Sequence, residues 1–150
     1  MEKFARLTLR FILAWLTTFT FASIAHSQMV LSGLEQQGIV IPPFERLQMT
    51  LSDWWGLLPG YGAVIAVGML IALCFGGWVC KKTGTPGGLL YPVAGALAML
   101  SIVMAMQPIM DITLIAGARS NTGLALQALS GLIGGWAFYA LRKKPKLHFD

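Results

Sequence analysis

Charged residues are absent from residues 64–79, from 83–110 and from 120–141, and Leu, Ile, Val, Met, Ala and Gly dominate all three stretches. A hydrocarbon core about 30 Å thick takes roughly 20 helical residues, a length these tracts reach alone or with their flanks. A fourth tract, residues 11–31, is apolar in its first half but carries Ser23, His26, Ser27 and Gln28 in its second. The pattern predicts transmembrane helices at about 11–31, 60–80, 89–107 and 122–141. Several helices this apolar in one chain of 150 residues would leave no polar surface for water. The fold class that follows is all-α: a polytopic membrane protein forming a single, compact four-helix transmembrane bundle.

The first tract admits two readings. Its basic start, the short apolar run to Ala22 and the small residues Ala25 and Ser27 resemble a cleavable signal peptide ending before Gln28. Apolar character resumes at Met29, Val30 and Leu31, which lets a helix run on as an uncleaved span. Residues 32–59 form the longest region between spans. Within it Pro43 suits the first turn of a helix, and Phe44, Leu47, Leu51, Trp54 or Trp55, and Leu58 recur at helical spacing. Glu45, Gln48 and Ser52 fall on another face. This predicts a short amphipathic helix outside the bilayer, lying on its outer surface or capping the bundle, with Pro59-Gly60 resetting the backbone after it. The linker at residues 83–88 is so short that the second and third spans are antiparallel neighbours.

Composition sharpens this picture. Only 11% of the residues are charged against 56% apolar, where a soluble domain carries about a quarter charged. The net charge of +5 would suit nucleic acid if it were spread along a surface, but it is not. Lys3, Arg6 and Arg10 precede the first tract, Lys81 and Lys82 follow the second, and Arg142, Lys143, Lys144 and Lys146 follow the last. With four crossings, all of these share one side, leaving Arg46 and Arg119 on the other. The positive-inside rule then puts both termini in the cytoplasm. Membrane lipid is the partner implied, and nucleic acid is not.

Helices in lipid gain little from apolar burial, so small residues that allow close backbone approach become the candidate packing sites. Gly62 and Ala66, Ala94 and Ala98, and Gly131, Gly134 and Gly135 supply them. Spacing alone does not separate contacts within the bundle from a homo-oligomer face.

Chemistry is sparse. Cys74 and Cys80 are six residues apart, roughly 240° around a helix, and do not converge. Met99, Met106 and Met110 share a face, which fits flexible apolar filling better than a soft-metal site lacking His or Cys. No Walker loop, dinucleotide fingerprint or zinc-protease motif is present, and neither cofactor nor metal nor catalytic residue is assigned. No ionisable residue sits deep in a span, as a proton relay would require. The polar candidates for structural or partner contacts are therefore Arg46, Asp53, Asp111 and Arg119, near the predicted outer ends.

The runs Glu45-Arg46-Leu47-Gln48-Met49-Thr50 and Tyr61-Gly62-Ala63, with Ile115-Ala116-Gly117-Ala118-Arg119 and Gly134-Gly135-Trp136, resemble small uncharacterised four-span inner-membrane proteins of proteobacteria. The resemblance implies the architecture and a bacterial inner membrane as the location, and no activity. It also implies importance for Arg46, Asp53, Asp111 and Arg119. The function expected is a non-enzymatic accessory, assembly or structural protein, working with a membrane-protein partner or as a homo-oligomer. The alternatives are a small oligomeric transporter or channel component, and a membrane enzyme with an outer-facing polar site.

Overall fold

The computed structural model of the chain describes residues 2–110 and 120–142. All regular structure in them is helical. Helix α1 spans Glu2–Glu35, α2 Pro43–Leu57, α3 Ala63–Thr83, α4 Gly87–Met110 and α5 Asn121–Ala140. Four helical segments are long and apolar enough to cross a membrane: Phe4–Glu35, Pro43–Thr83, Gly87–Met106 and Asn121–Ala140. The protein is a multi-pass membrane protein built as a four-helix bundle, with α2 as its short additional helix.

Local chemistry sets the boundaries. Pro42 is extended, and Pro43 opens α2 where a missing N–H costs no intrahelical bond. Gly84 ends α3 in the left-handed region (φ 69°), its N–H bonding the Cys80 carbonyl at 3.1 Å, a geometry any larger residue would strain. Ser120 caps α5 by accepting a 3.0 Å bond from the Gly123 N–H.

Between α2 and α3 the chain does not break. Residues Leu58–Gly62 form one π-helical turn, and the bounding residues Leu57, Leu58 and Ala63 keep right-handed helical dihedrals. Pro59 and Gly60 were expected to reset the backbone here. A π turn instead absorbs the proline, because its shifted hydrogen-bond register accommodates the missing donor. The joined α2–α3 run is 41 residues long, or about 60 Å at 1.5 Å per residue.

Helix α5 packs between α1 and α4, α4 packs between α5 and α3, and α1 and α3 meet only lightly. Each of these principal pairs is antiparallel. The start of α1, the end of α3, the start of α4 and the end of α5 therefore share one end of the bundle. The 36–42 turn joining α1 to α2 lies at the other.

Glycines set the closest approaches. A Cβ on Gly131 would collide with the Gly95 carbonyl, and one on Gly135 with the Tyr91 carbonyl, so the backbones of α4 and α5 are in direct contact. A Cβ on Gly134 would strike the Thr18 hydroxyl and lie 2.9 Å from the Ala14 carbonyl, so α5 sits as tightly on α1. In α3 the tight positions are Gly68, where a Cβ would come 2.6 Å from Ile102, and Gly76, 3.3 Å from the Ala94 methyl. Gly62 is looser, 3.5 Å from the Phe19 ring, and Ala66 is half-buried, while Ala98 is buried against the core. The four-residue spacing of Gly68, Ala72 and Gly76 carries a signal for the α3–α4 contact that the candidate packing sites did not include.

Candidate functional site

Five polar contacts tie α1 to the α2–π segment, one below another. At the turn, Arg46 pairs with Glu35 at 2.6 Å. Below it the Gln28 amide donates to the Thr50 hydroxyl at 3.2 Å, and Ser27 donates to the Asp53 carboxylate at 2.7 Å. Trp54 Nε1 donates to the Thr20 hydroxyl at 3.2 Å, and Trp15 Nε1 to the Gly62 carbonyl, in the π turn, at 2.7 Å. Ring contacts fill the space between: Phe19 meets Trp54 edge-on at 5.4 Å between centroids, and Trp54 meets Trp55 at 4.9 Å.

The ladder follows from helical spacing. Arg46, Thr50, Asp53, Trp54 and Leu57 share one side of α2, and each is half-buried against α1. On α1 the matching positions are the hydroxyls and amide that depress the apolarity of its second half. Read along the sequence they weaken a span; in the fold they are its side of the ladder.

The consequence for α2 is an inverted polarity. With its polar side turned to α1, its apolar row faces outward: Phe44 is 76% exposed, Leu47 57%, Leu51 56% and Trp55 69%. No residue of α2 is buried. Gln48 and Ser52 lie on a third, exposed sector.

One level into the bundle, Gln127 of α5 joins both halves of the hairpin. Its carbonyl accepts a 2.9 Å bond from the Tyr61 hydroxyl, and its amide donates to the Ala22 carbonyl at 3.1 Å. Gln127 is 1% exposed and Tyr61 2%, so these are buried polar groups satisfied by one another.

Arg46 and Asp53 thus belong to the same hairpin, with Glu35 and Ser27 as partners the sequence did not single out. Asp111 and Arg119 lie outside the described residues. His26 sits beside Asp53, yet its Nδ1 and the Ser23 hydroxyl have no hydrogen-bond partner among the described residues. Ser27 is bonded to a carboxylate and to the Ser23 carbonyl rather than to His26, so these groups do not form the nucleophile–base pair of a hydroxyl nucleophile. No cluster of three metal-ligating side chains occurs among the described residues. Cys74 and Cys80 are free thiols.

No family model, curated protein or solved structure matches the chain. The resemblance to proteobacterial inner-membrane proteins is therefore not supported as a specific family. The statement that stands is the coarser one, a multi-span α-helical membrane protein.

Proposed function

We propose that the protein is a non-enzymatic accessory or assembly subunit of a bacterial inner membrane, and that the outward apolar row of α2 holds a helix of a partner membrane protein. The observation that carries this reading is the inverted polarity of α2. Helix α3 alone has 21 residues, enough to cross the roughly 30 Å hydrocarbon core, and α2 continues from it. Much of the 41-residue run then stands beyond the hydrocarbon, where four large apolar side chains in a row call for a cover. Recognition by such a row is helix against helix, with apolar anchors at helical spacing. The polar ladder fixes α2 beforehand and removes the cost of ordering it on binding.

Orientation follows from charge. Arg6, Arg10, Lys81, Lys82 and Arg142 gather at the end of the bundle that carries the start of α1 and the end of α5, opposite Arg46. By the positive-inside rule that end is cytoplasmic, and the α1–α2 hairpin projects on the far side. Within this reading α1 is an uncleaved span, which the full burial of Ala14, Thr18, Phe19, Ala22, Ser23 and Ser27 supports.

The test is photocrosslinking from Leu51 and Trp55, with Gln48 as control, followed by extraction in mild detergent. One adduct of defined mass from positions 51 and 55 but not 48, with the same protein co-purifying stoichiometrically and lost in L51D/W55D, supports the reading. Adducts only to lipid, to a second copy, or within the chain to residues 111–119 overturn it.

A further inference from the structure

Where α1 and α3 part, at the end of the bundle carrying the basic residues, they leave a cavity of about 480 Å³ floored by α4 and α5. Three cations from well-separated parts of the chain line it: Arg10 of α1, Lys81 of α3 and Arg142, just past α5. The rest of its wall is mainly apolar and includes Leu70, Leu73 and Phe138, with Trp78 one helical turn before Lys81. No carboxylate lines it among the described residues. Arg142 is held in place by a 2.6 Å bond to the neutral Tyr91 hydroxyl and by its stacking over that ring at 5.7 Å. Arg10 and Lys81 have no acidic partner among the described residues, whereas the nearby Arg6 is paired with Glu2 at 2.7 Å.

With no acidic partner among the described residues, the three cations repel one another and favour an external anion. An apolar slot opening beside them takes a hydrocarbon chain, and an indole at the same place suits the headgroup level. From this pairing we propose that the cavity is a binding site for one anionic glycerophospholipid, its phosphate among Arg10, Lys81 and Arg142 and one acyl chain along Leu70, Leu73 and Phe138. A basic pocket between membrane helices is the recognised form of such a site. It is independent of the reading of α2, because it lies at the opposite end and uses none of the same residues.

The full chain, reconstituted in nanodiscs of equal phosphatidylglycerol and phosphatidylcholine with identical acyl chains, is analysed by native mass spectrometry for the lipid that stays bound. A single retained lipid, enriched in phosphatidylglycerol, is expected. Each of R10Q, K81Q and R142Q lowers that enrichment by about fivefold, the weight of one basic residue at a membrane surface. R6Q leaves it unchanged. C74F, which fills the apolar wall at an exposed position, removes the retained lipid with all three cations intact. Competition by glycerol 3-phosphate without loss in C74F would show a site for free phosphate and overturn the lipid assignment. Equal losses in R6Q and K81Q, or none in K81Q, would reduce the effect to diffuse surface charge and overturn the site. Lys81 and Cys74 are both exposed, so these two variants keep the test decisive even if R142Q, which frees Tyr91, does not fold.

Discussion

The Gln127 amide oxygen accepts a 2.9 Å hydrogen bond from the Tyr61 hydroxyl in a part of the bundle where neither side chain reaches solvent. A single side chain of α5 thereby holds the π turn, and through its 3.1 Å bond to the Ala22 carbonyl it holds α1 as well.

Replacing Gln127 by Leu strands the Tyr61 hydroxyl without its acceptor. The expected loss is about 1–3 kcal/mol, the cost of leaving buried polar groups unsatisfied. Tyr61→Phe leaves the Gln127 carbonyl unpaired but removes the hydroxyl, and the double variant Y61F/Q127L recovers part of the loss. Reversible unfolding in mixed micelles measures all three. Additive losses in the double variant would show that the two side chains act separately.

Substitution of Gly131 by Leu drives a side chain into the Gly95 carbonyl, where backbone must move. The expected cost is about 3 kcal/mol or more, with loss of the folded bundle in the same assay. Gly33, in the last turn of α1 with nothing within 4 Å of an added Cβ, behaves oppositely. Gly33→Ala stabilises by about 0.5–1 kcal/mol, because alanine gives up less backbone freedom. A stable G131L, or a destabilised G33A, contradicts the packing described.

Asp53→Asn keeps an oxygen to accept from Ser27 and is expected to change stability by less than about 0.5 kcal/mol. Asp53→Leu removes the acceptor and loses about 1–2 kcal/mol, less than Gln127→Leu, because Ser27 retains its 3.1 Å bond to the Ser23 carbonyl. Thermal denaturation of the two variants side by side gives the comparison.

If α1 is retained, protein purified from membranes has an intact mass that includes residues 1–27. Losing them would strip the partner surface from Gly134 and the amide partner from Gln127. In a C74S/C80S background, a cysteine at Gln37 is labelled by an impermeant maleimide from outside the cell, and one at Lys82 only after the membrane is opened. The reverse pattern would invert the orientation proposed from charge.

The sequence contained the helices because backbone hydrogen bonding in hydrocarbon permits few alternatives to a helix, and long uncharged tracts such as residues 83–110 mark where that constraint applies. It also contained the charge asymmetry, since that depends only on the order of residues. Pro59-Gly60 was misread, because whether a proline breaks a helix or enters a π turn depends on what the next helix packs against. The polar half of α1 left two readings open for a related reason: Thr20, Ser27 and Gln28 lower apolarity as a sum, but their partners on α2 are visible only once the hairpin is closed. Gly95, Gly68 and Gly76 were unmarked as contacts because a small residue shows that approach is permitted, not which helix approaches.

The order of residues thus determined that this chain crosses a membrane as helices, since solvation by lipid acts on each segment by itself. Only the tertiary structure decided that α2 turns its polar side inward, that Gln127 finds Tyr61, and that Arg10, Lys81 and Arg142 share one cavity. These depend on how helices rotate and tilt against one another, and in lipid, where apolar faces do not drive helices together, that rotation is set by a few glycines and buried hydrogen bonds far apart in the chain.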